Sequence, residues 1–169
     1  AVFTHVEDRI DCTGFEREKI LITTHPTQRD IWFWTIPFSN GRSSVGVVAA
    51  AEHFVGRSQN PDQCLRSFIE QTPSLGRVLA NAVWDTPART LGGYSANVKT
   101  LHGPGFALLG NAAEFLDPVF SSGVTIAMRS ASMAAAVLHR QLQGEAVDWQ
   151  TEFAEPLKRG VDTFRCYVE

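Results

Sequence analysis

The sequence has 169 residues, 44% of them hydrophobic and 20% charged, which is ordinary for one well-buried globular domain. Its formal net charge of −3 provides no basic stripe, so we expect no nucleic-acid partner. No apolar run approaches the roughly 20 residues that cross a bilayer, so we expect no membrane span. Cys12, Cys64 and Cys166 are widely separated and form no Cys/His cluster. They favour a reducing cytoplasm and predict neither a disulfide framework nor a metal site.

The first fifty residues predict an antiparallel meander of strands. Residues 20–24, 31–38 and 43–50 are β-branched or aromatic runs, and residues 1–5 predict a short strand, alternating or at the sheet edge. The Asn40-Gly41 pair between two of these runs is typical of a tight hairpin turn. Two hairpins with local turns therefore define the sheet.

The chain beyond the meander predicts helices that cover the sheet, followed by further strand-like sequence. Asn60-Pro61-Asp62 is typical of a helix start, and Leu65, Phe68 and Ile69 follow at amphipathic spacing. Residues 86–101 return to strand-like sequence with Tyr94 near the middle. We expect Tyr94 to be either a half-buried strand residue or part of a site.

The middle strand of the meander contains two tryptophans at alternating positions. The period of a strand sends Trp32, Trp34 and Ile36 to one face and Phe33 and Thr35 to the other. Two interpretations are open at this point. The indoles are either core aromatics of the sheet or a flat apolar wall beside a ligand.

The most informative stretch is residues 103–138. Residues 106–109 form an apolar run bounded by glycines, which predicts a buried strand. A turn of small residues follows at residues 110–113. The Ser121-Ser122-Gly123 sequence then opens a long helix that we expect to end at Gly144. A strand, a small-residue turn and a helix start place free backbone N–H groups where a polar or anionic ligand can lie.

Two motifs in these regions resemble one known family. The stretch GNAAEFLDPVFSSGV, residues 110–124, resembles the second flavin-contacting motif of FAD-dependent oxidoreductases of the flavin-dependent halogenase and monooxygenase family. The stretch WFWTIP, residues 32–37, is similar to the W-x-W-x-I-P signature of the halogenases. In the family, the tryptophans line the region between flavin and substrate.

The resemblance implies FAD as the cofactor and assigns roles to individual residues. The residues implied to be catalytic or substrate-facing are Trp32, Trp34 and Tyr94. Those implied to bind the cofactor are Gly110, Asn111, Asp117, Pro118, Ser121, Ser122, Gly123 and Val124. The family usually has Asp in place of Asn111, where an amide can still hydrogen-bond a hydroxyl but has no charge.

The resemblance also implies the fold class, which is α+β. We expect an antiparallel substrate-domain sheet covered by helices at residues 1–102, the second flavin motif and long helix at 103–143, and a helical segment at 144–169. The middle segment would be the last strand and long helix of an FAD-binding fold of the two-dinucleotide-binding-domain type. Nothing in the chain resembles the G-x-G-x-x-G fingerprint. We therefore expect a fragment that lacks the N-terminal Rossmann part and is inactive in isolation.

The implied function is that of a halogenase-like oxidoreductase using reduced flavin and O2 to halogenate or hydroxylate a small molecule. Tryptophan-specific members carry Glu in place of Phe120, and the F-S-S-G form is similar to members acting on phenolic or carrier-protein-tethered substrates. Halide and a separate flavin reductase are the other expected partners. Two alternatives are a flavin-dependent reductase of isoprenoid double bonds and a non-catalytic fragment with a decayed flavin site.

Overall fold

The structure is a computed structural model that describes residues 1–11, 14–116 and 121–167. The chain forms two compact units, Ala1–Gly92 and Gly93–Glu169. The first unit contains a five-stranded sheet and two helices, and the second contains short strand pairs and two longer helices. The α+β class predicted from the sequence is confirmed.

The sheet of the first unit is antiparallel throughout, with strand order β2-β3-β4-β1-β5. Its strands are β1 (Val2–Glu7), β2 (Leu21–Thr24), β3 (Trp32–Pro37), β4 (Arg42–Val48) and β5 (Arg89–Thr90). The predicted meander is confirmed, and Gly41 takes the left-handed φ of +80° that the β3–β4 turn requires. Of the two options for the first strand, the alternating strand is confirmed, because buried residues recur at every second position of β1. The edge strand is wrong, because β1 lies between β4 and β5.

One face of this sheet packs against helices α1 (Pro61–Glu70) and α2 (Pro73–Val78). Helix α1 begins as predicted, since the Asn60 side chain accepts hydrogen bonds from the backbone N–H groups of Asp62 and Gln63. The core between sheet and helices is built from fully buried apolar side chains, which include Val6, Phe33, Val45, Leu65, Phe68 and Leu75. The face that carries the tryptophans is the opposite one.

A buried carboxylate fixes the end of the sheet at β1. Asp8 is 2% exposed and accepts hydrogen bonds from Arg17, at 2.8 and 3.2 Å, and from the Ser43 hydroxyl at 2.7 Å. Burial alone would raise the pKa of Asp8, but these hydrogen bonds outweigh it and hold the pKa below its ordinary value. The carboxylate therefore stays charged and ties the loop that carries Arg17 to the sheet.

The second unit has two pairs of short antiparallel strands. Strand β6 (Ala96–Asn97) pairs with β9 (Glu114–Phe115), and β7 (His102–Gly103) pairs with β8 (Phe106–Ala107). The predicted strand at residues 106–109 is therefore wrong in extent, because only its first two residues pair and the Phe106 side chain is 47% exposed. The strand-like sequence at residues 86–101 likewise forms only the short strands β5 and β6.

Two helices supply the core of the second unit. The long predicted helix is observed as α3 (Ser122–Leu142), and α4 (Glu155–Arg165) follows a π-helical turn at Gln150–Ala154. Buried side chains from α3 and from the C-terminal segment pack together, among them Ile126, Val137, Phe153, Leu157 and Val161. Within the described residues, none of the helices combines the length and the apolar character that a bilayer crossing requires.

Candidate functional site

The start of helix α3 is the centre of the candidate cofactor site. Ser121 precedes the helix with a left-handed φ of +51°, and its side chain makes no capping hydrogen bond. Ser122 is buried and Val124 is 70% exposed. The first-turn N–H groups of a helix have no intrahelical acceptor, so this end of α3 can receive a polar or anionic group.

Gly110 allows the chain to approach α3 closely just before the turn. It has a φ of +53°, and an added Cβ would lie 3.0 Å from the Ala127 Cβ. The Gly110 N–H donates to the Ser130 hydroxyl at 3.0 Å, and Ser130 in turn donates to the Ala127 carbonyl at 3.0 Å. Ser130 is fully buried, so this pair of hydrogen bonds fixes the turn on the helix.

The next residue, Asn111, is exposed and lies beside the first turn of α3. A Cβ built on Gly123 would stand 3.6 Å from Asn111 Oδ1, so the amide reaches the helix start. An amide provides both an acceptor and two donors. The structure therefore brings four of the predicted residues together: Gly110, Asn111, Ser122 and Gly123.

Tyr94 lies along the same motif. Its ring contacts that of Phe115 edge-on, with centroids 5.7 Å apart, and the neighbouring Ser95 hydroxyl donates to the Leu116 carbonyl at 2.5 Å. The pairing of β6 with β9 holds this segment in place. Arg165 donates to the Glu114 carboxylate at 2.8 Å, which anchors α4 to β9 and raises the pKa of the guanidinium. Tyr94 is thus packed against Phe115 of the motif.

The tryptophans form an aromatic surface on the open face of the first unit's sheet. The Trp32 and Trp34 ring centroids are 6.1 Å apart, and Phe3 lies 6.1 Å from Trp34. Both indoles are half-buried, whereas Phe33 and Thr35 face the core, as the strand period predicts. We call the surface formed by Phe3, Trp32 and Trp34 the Trp face.

Two contacts on the Trp face were not predicted from the sequence. Trp34 Nε1 donates to the Ser44 hydroxyl at 3.0 Å. The Trp34 ring also lies directly on Gly46, where an added Cβ would stand 2.3 Å from a ring carbon. A glycine in a strand interior is the signal that could have found this contact, since it often marks a close approach.

The remaining predicted residues have different locations. Asp117 and Pro118, together with Phe120, lie outside the described residues. Trp32 and Trp34 belong to the first unit, whereas Tyr94 and the motif residues belong to the second.

A cluster of possible metal ligands was also not predicted. Asp30, Glu52 and His53 place their ligand atoms within 4.8 Å of one another. His53 Nε2 is hydrogen-bonded to the Asp30 carboxylate, and this hydrogen bond lowers the pKa of Asp30. The contact accounts for the closeness of these two side chains without an ion.

The chain is similar to known proteins in sequence and in structure. The family model of tryptophan halogenase matches residues 21–169. A 1H-pyrrole-2-carbonyl-(peptidyl-carrier protein) brominase from Pseudoalteromonas luteoviolacea is 30% identical over 145 residues, which cover 83% of this chain and 35% of the brominase.

Solved structures show the same similarity. A flavoprotein/dehydrogenase from Cytophaga hutchinsonii is 37% identical with a TM-score of 0.88, and the match covers 99% of this chain and 40% of that protein. A myxobacterial chondrochloren halogenase, a variant of FAD-dependent halogenases, is 29% identical with a TM-score of 0.81, over 98% of this chain and 39% of that one. This chain thus spans 35% to 40% of the length of these three relatives. It belongs to the tryptophan halogenase family, which includes flavin-dependent halogenases.

Proposed function

We propose that this chain supplies the substrate-facing sheet and the second flavin-contacting region of a flavin-dependent halogenase. The observation that carries the proposal is the junction of Gly110 and Asn111 with the first turn of α3, where the Ser121 side chain makes no capping hydrogen bond. Residues 106–142 would be the last strand and the long helix of the FAD-binding fold. The G-x-G-x-x-G part of that fold would come from polypeptide outside this sequence.

The residues at the start of α3 fit a bound FAD. Asn111 is exposed and offers an amide to a hydroxyl of the cofactor, while Gly110 and Ala112 add no bulk at the turn. The backbone N–H groups of Ser122 and Gly123 would face a polar edge of the cofactor or a halide ion. When bound in its reduced form, FAD would supply the reducing equivalents that activate O2 for oxidation of the halide.

The Trp face would hold the substrate. Two half-buried indoles and Phe3 offer an apolar surface that matches a flat aromatic ring. Such a surface also excludes water from the reacting atoms, which favours attack by an oxidised halogen over side reactions. The Trp34 indole N–H is held by Ser44, so the ring keeps one orientation. Tyr94 would lie at the flavin side, on Phe115.

The named relatives suggest the substrate class. One of them acts on a pyrrole carbonyl group joined to a peptidyl-carrier protein. We propose an aromatic small molecule, free or tethered to a carrier protein, with halide as co-substrate and a separate flavin reductase as partner. No observation favours a reductase of isoprenoid double bonds.

The experiment uses a chimera in which this chain replaces the matching part of the Pseudoalteromonas brominase, which we call the brominase chimera. It is given FAD, a flavin reductase, O2, bromide and pyrrole-2-carbonyl carrier protein, and the product is identified by mass spectrometry. We expect bromide-dependent bromination that falls about tenfold or more in Trp34→Leu, with FAD affinity unchanged. Trp84→Leu is the matched control, because Trp84 packs with the helix-covered core instead.

Two results would contradict the proposal. Product formed equally without bromide would identify a hydroxylating monooxygenase. Retained FAD with no product of either kind would identify a fragment that binds flavin without catalysing this reaction.

A further inference from the structure

The Trp face changes from apolar to polar at one end. Along β4, Gly46 lies under Trp34, and Ser44 precedes Gly46 by two positions, so it lies on the same face of the sheet. The strand register places His5 of β1 directly opposite Ser44. Residues that are paired across two strands share one side of the sheet, with their Cβ atoms about 5 Å apart. His5 and Ser44, which we call the polar pair, therefore stand side by side at the edge of the aromatic surface.

The imidazole ring of His5 leans across β4 toward β3. It contacts the ring of Phe38 edge-on, with centroids 5.2 Å apart. Phe38 directly follows β3, and β4 lies between β1 and β3 in the sheet. A ring that starts on β1 and touches Phe38 must lie over β4, and thus beside Ser44. His5 is exposed, so a molecule on the Trp face can reach its imidazole.

Both members of the polar pair have hydrogen-bonding capacity that the described residues do not use. Ser44 accepts a hydrogen bond from Trp34 Nε1 at 3.0 Å, and its own hydroxyl proton has no acceptor in the part of the chain that the structure describes. Among the same residues, His5 is hydrogen-bonded only through its backbone. By contrast, the guanidinium of the neighbouring Arg42 donates to the Asp85 carboxylate at 2.6 and 2.9 Å. The polar pair is therefore available to a ligand, whereas Arg42 already has a charged partner.

A hydroxyl group suits the polar pair better than the other polar substituents of an aromatic ring. The Ser44 oxygen already accepts the indole proton, so its own proton is free to donate to a ligand. A ring nitrogen of a neutral imidazole is either an acceptor or a donor, depending on the tautomer. A hydroxyl can accept from Ser44 and complete a hydrogen bond with His5 in either tautomer. A ring N–H can only donate, and a carbonyl oxygen can only accept.

We propose that the polar pair binds a ring hydroxyl of the substrate and selects phenolic compounds over aromatic compounds that lack this group. Ser44 bonds the nitrogen edge of the Trp34 indole, so a ring stacked on Trp34 can direct a substituent along β4 toward the pair. A ring that is held by its hydroxyl presents fixed carbons to the oxidised halogen, so the pair would also set the position of attack. This inference rests on the proposed function, in which the Trp face holds the substrate.

The test measures binding without chemistry, in the brominase chimera with FAD but with no bromide and no reductant. The two probes are methyl 4-hydroxybenzoate and methyl benzoate, which differ only in the ring hydroxyl, and their Kd values are measured by isothermal titration calorimetry. His5→Leu removes the imidazole, whereas His5→Gln keeps a group that can donate and accept. His139→Leu, the same change at an exposed histidine of α3, is the matched control. Trp34→Leu tests whether the probes lie on the Trp face.

We expect the hydroxyl probe to bind about tenfold more tightly than methyl benzoate, which is the effect of two ordinary hydrogen bonds. This ratio should fall below about threefold in His5→Leu, be largely restored in His5→Gln, and stay unchanged in His139→Leu.

Three results would overturn the inference, and they differ in what they imply for the proposed function. An unchanged ratio in His5→Leu, when Trp34→Leu weakens both probes, would leave the Trp face as the substrate surface without a role for the polar pair. An equal loss of affinity for both probes in His5→Leu would mean that the pair binds the ester carbonyl that they share. If neither probe binds, or if Trp34→Leu leaves both Kd values unchanged, the assignment of the substrate to the Trp face fails as well.

Discussion

Gly46 is the position at which the packing of the Trp face can be tested most sharply. An alanine Cβ at this position would stand 2.3 to 2.6 Å from three carbons of the Trp34 ring, which is closer than such atoms can approach. In Gly46→Ala the indole must therefore swing away from the sheet, and the hydrogen bond from its Nε1 to Ser44, now 3.0 Å, is lost.

The loss of stability expected in Gly46→Ala combines two effects. Overpacking of this kind typically costs about 1–3 kcal/mol, and the lost hydrogen bond adds about 1 kcal/mol. Since Trp34 is only half-buried, part of the clash can be relieved by outward movement. We expect the free energy of unfolding of Gly46→Ala to fall by about 2 kcal/mol, within the usual range for single core substitutions.

The measurement is urea unfolding followed by tryptophan fluorescence and by circular dichroism. Gly92→Ala is the matched control, because nothing lies within 4 Å of a Cβ built there, and we expect a change within about 0.5 kcal/mol. Ser44→Ala separates the hydrogen bond from the clash and should cost about 1 kcal/mol. If Gly46→Ala is as stable as Gly92→Ala and its fluorescence spectrum is unchanged, Trp34 does not lie on Gly46.

Two further predictions concern buried polar groups. In Ser130→Ala the buried Gly110 N–H loses its acceptor, so we expect the free energy of unfolding in urea to fall by about 1–3 kcal/mol. The control is Ser132→Ala on the exposed side of α3, which should change the free energy of unfolding by less than about 0.5 kcal/mol. The folded-state pKa of Asp8 lies below its ordinary value of 3.8, so its contribution to stability is present above about pH 4 and is lost as the pH falls through the folded pKa. Asp8→Asn should lower the free energy of unfolding at pH 7 by about 3 kcal/mol, because Arg17 loses its buried charged partner and keeps only the exposed Glu18. The same substitution should flatten the dependence of stability on acid pH.

Each of these predictions has a result that would refute it. Equal stabilities of the Ser130 and Ser132 variants would mean that the Gly110 N–H has another acceptor. An acid-unfolding curve of the same slope with and without the Asp8 carboxylate would mean that Asp8 does not titrate with a lowered pKa in the folded state.

The meander of the first unit could be predicted from the sequence because its determinants are local. The Asn40-Gly41 turn fixes one hairpin, and the strand period separates Trp34 from Phe33 by face. The place of β1 could not be predicted in this way. Its pairing with β4 and β5 joins residues far apart in the chain, and no local turn specifies it.

The strand predicted at residues 106–109 shows a different limit. The apolar pattern describes an environment with neighbours on both faces and edges, and the described chain provides one short neighbour, β7. The motif at residues 110–124 predicted the turn that begins at Gly110 and the helix that begins at Ser122. Its role in binding flavin stays a prediction. The contact of Ser130 with Gly110 could not be predicted, because it depends on tertiary packing. The contact of Trp34 with Gly46 left one signal in the sequence, which is the glycine within a strand.

The most direct test of the central proposal uses a chimera in which this chain replaces the matching part of the Cytophaga flavoprotein. The affinity of this chimera for FAD is measured by titration of flavin fluorescence. We expect the chimera to bind FAD and Asn111→Leu to raise the Kd about tenfold, because an amide hydrogen bond to a cofactor hydroxyl is lost. Asn81→Leu, at an exposed site in the first unit, should leave the Kd unchanged. A chimera that binds FAD equally well with Asn or Leu at position 111, or that folds and binds none, would contradict the assignment of this turn to the flavin.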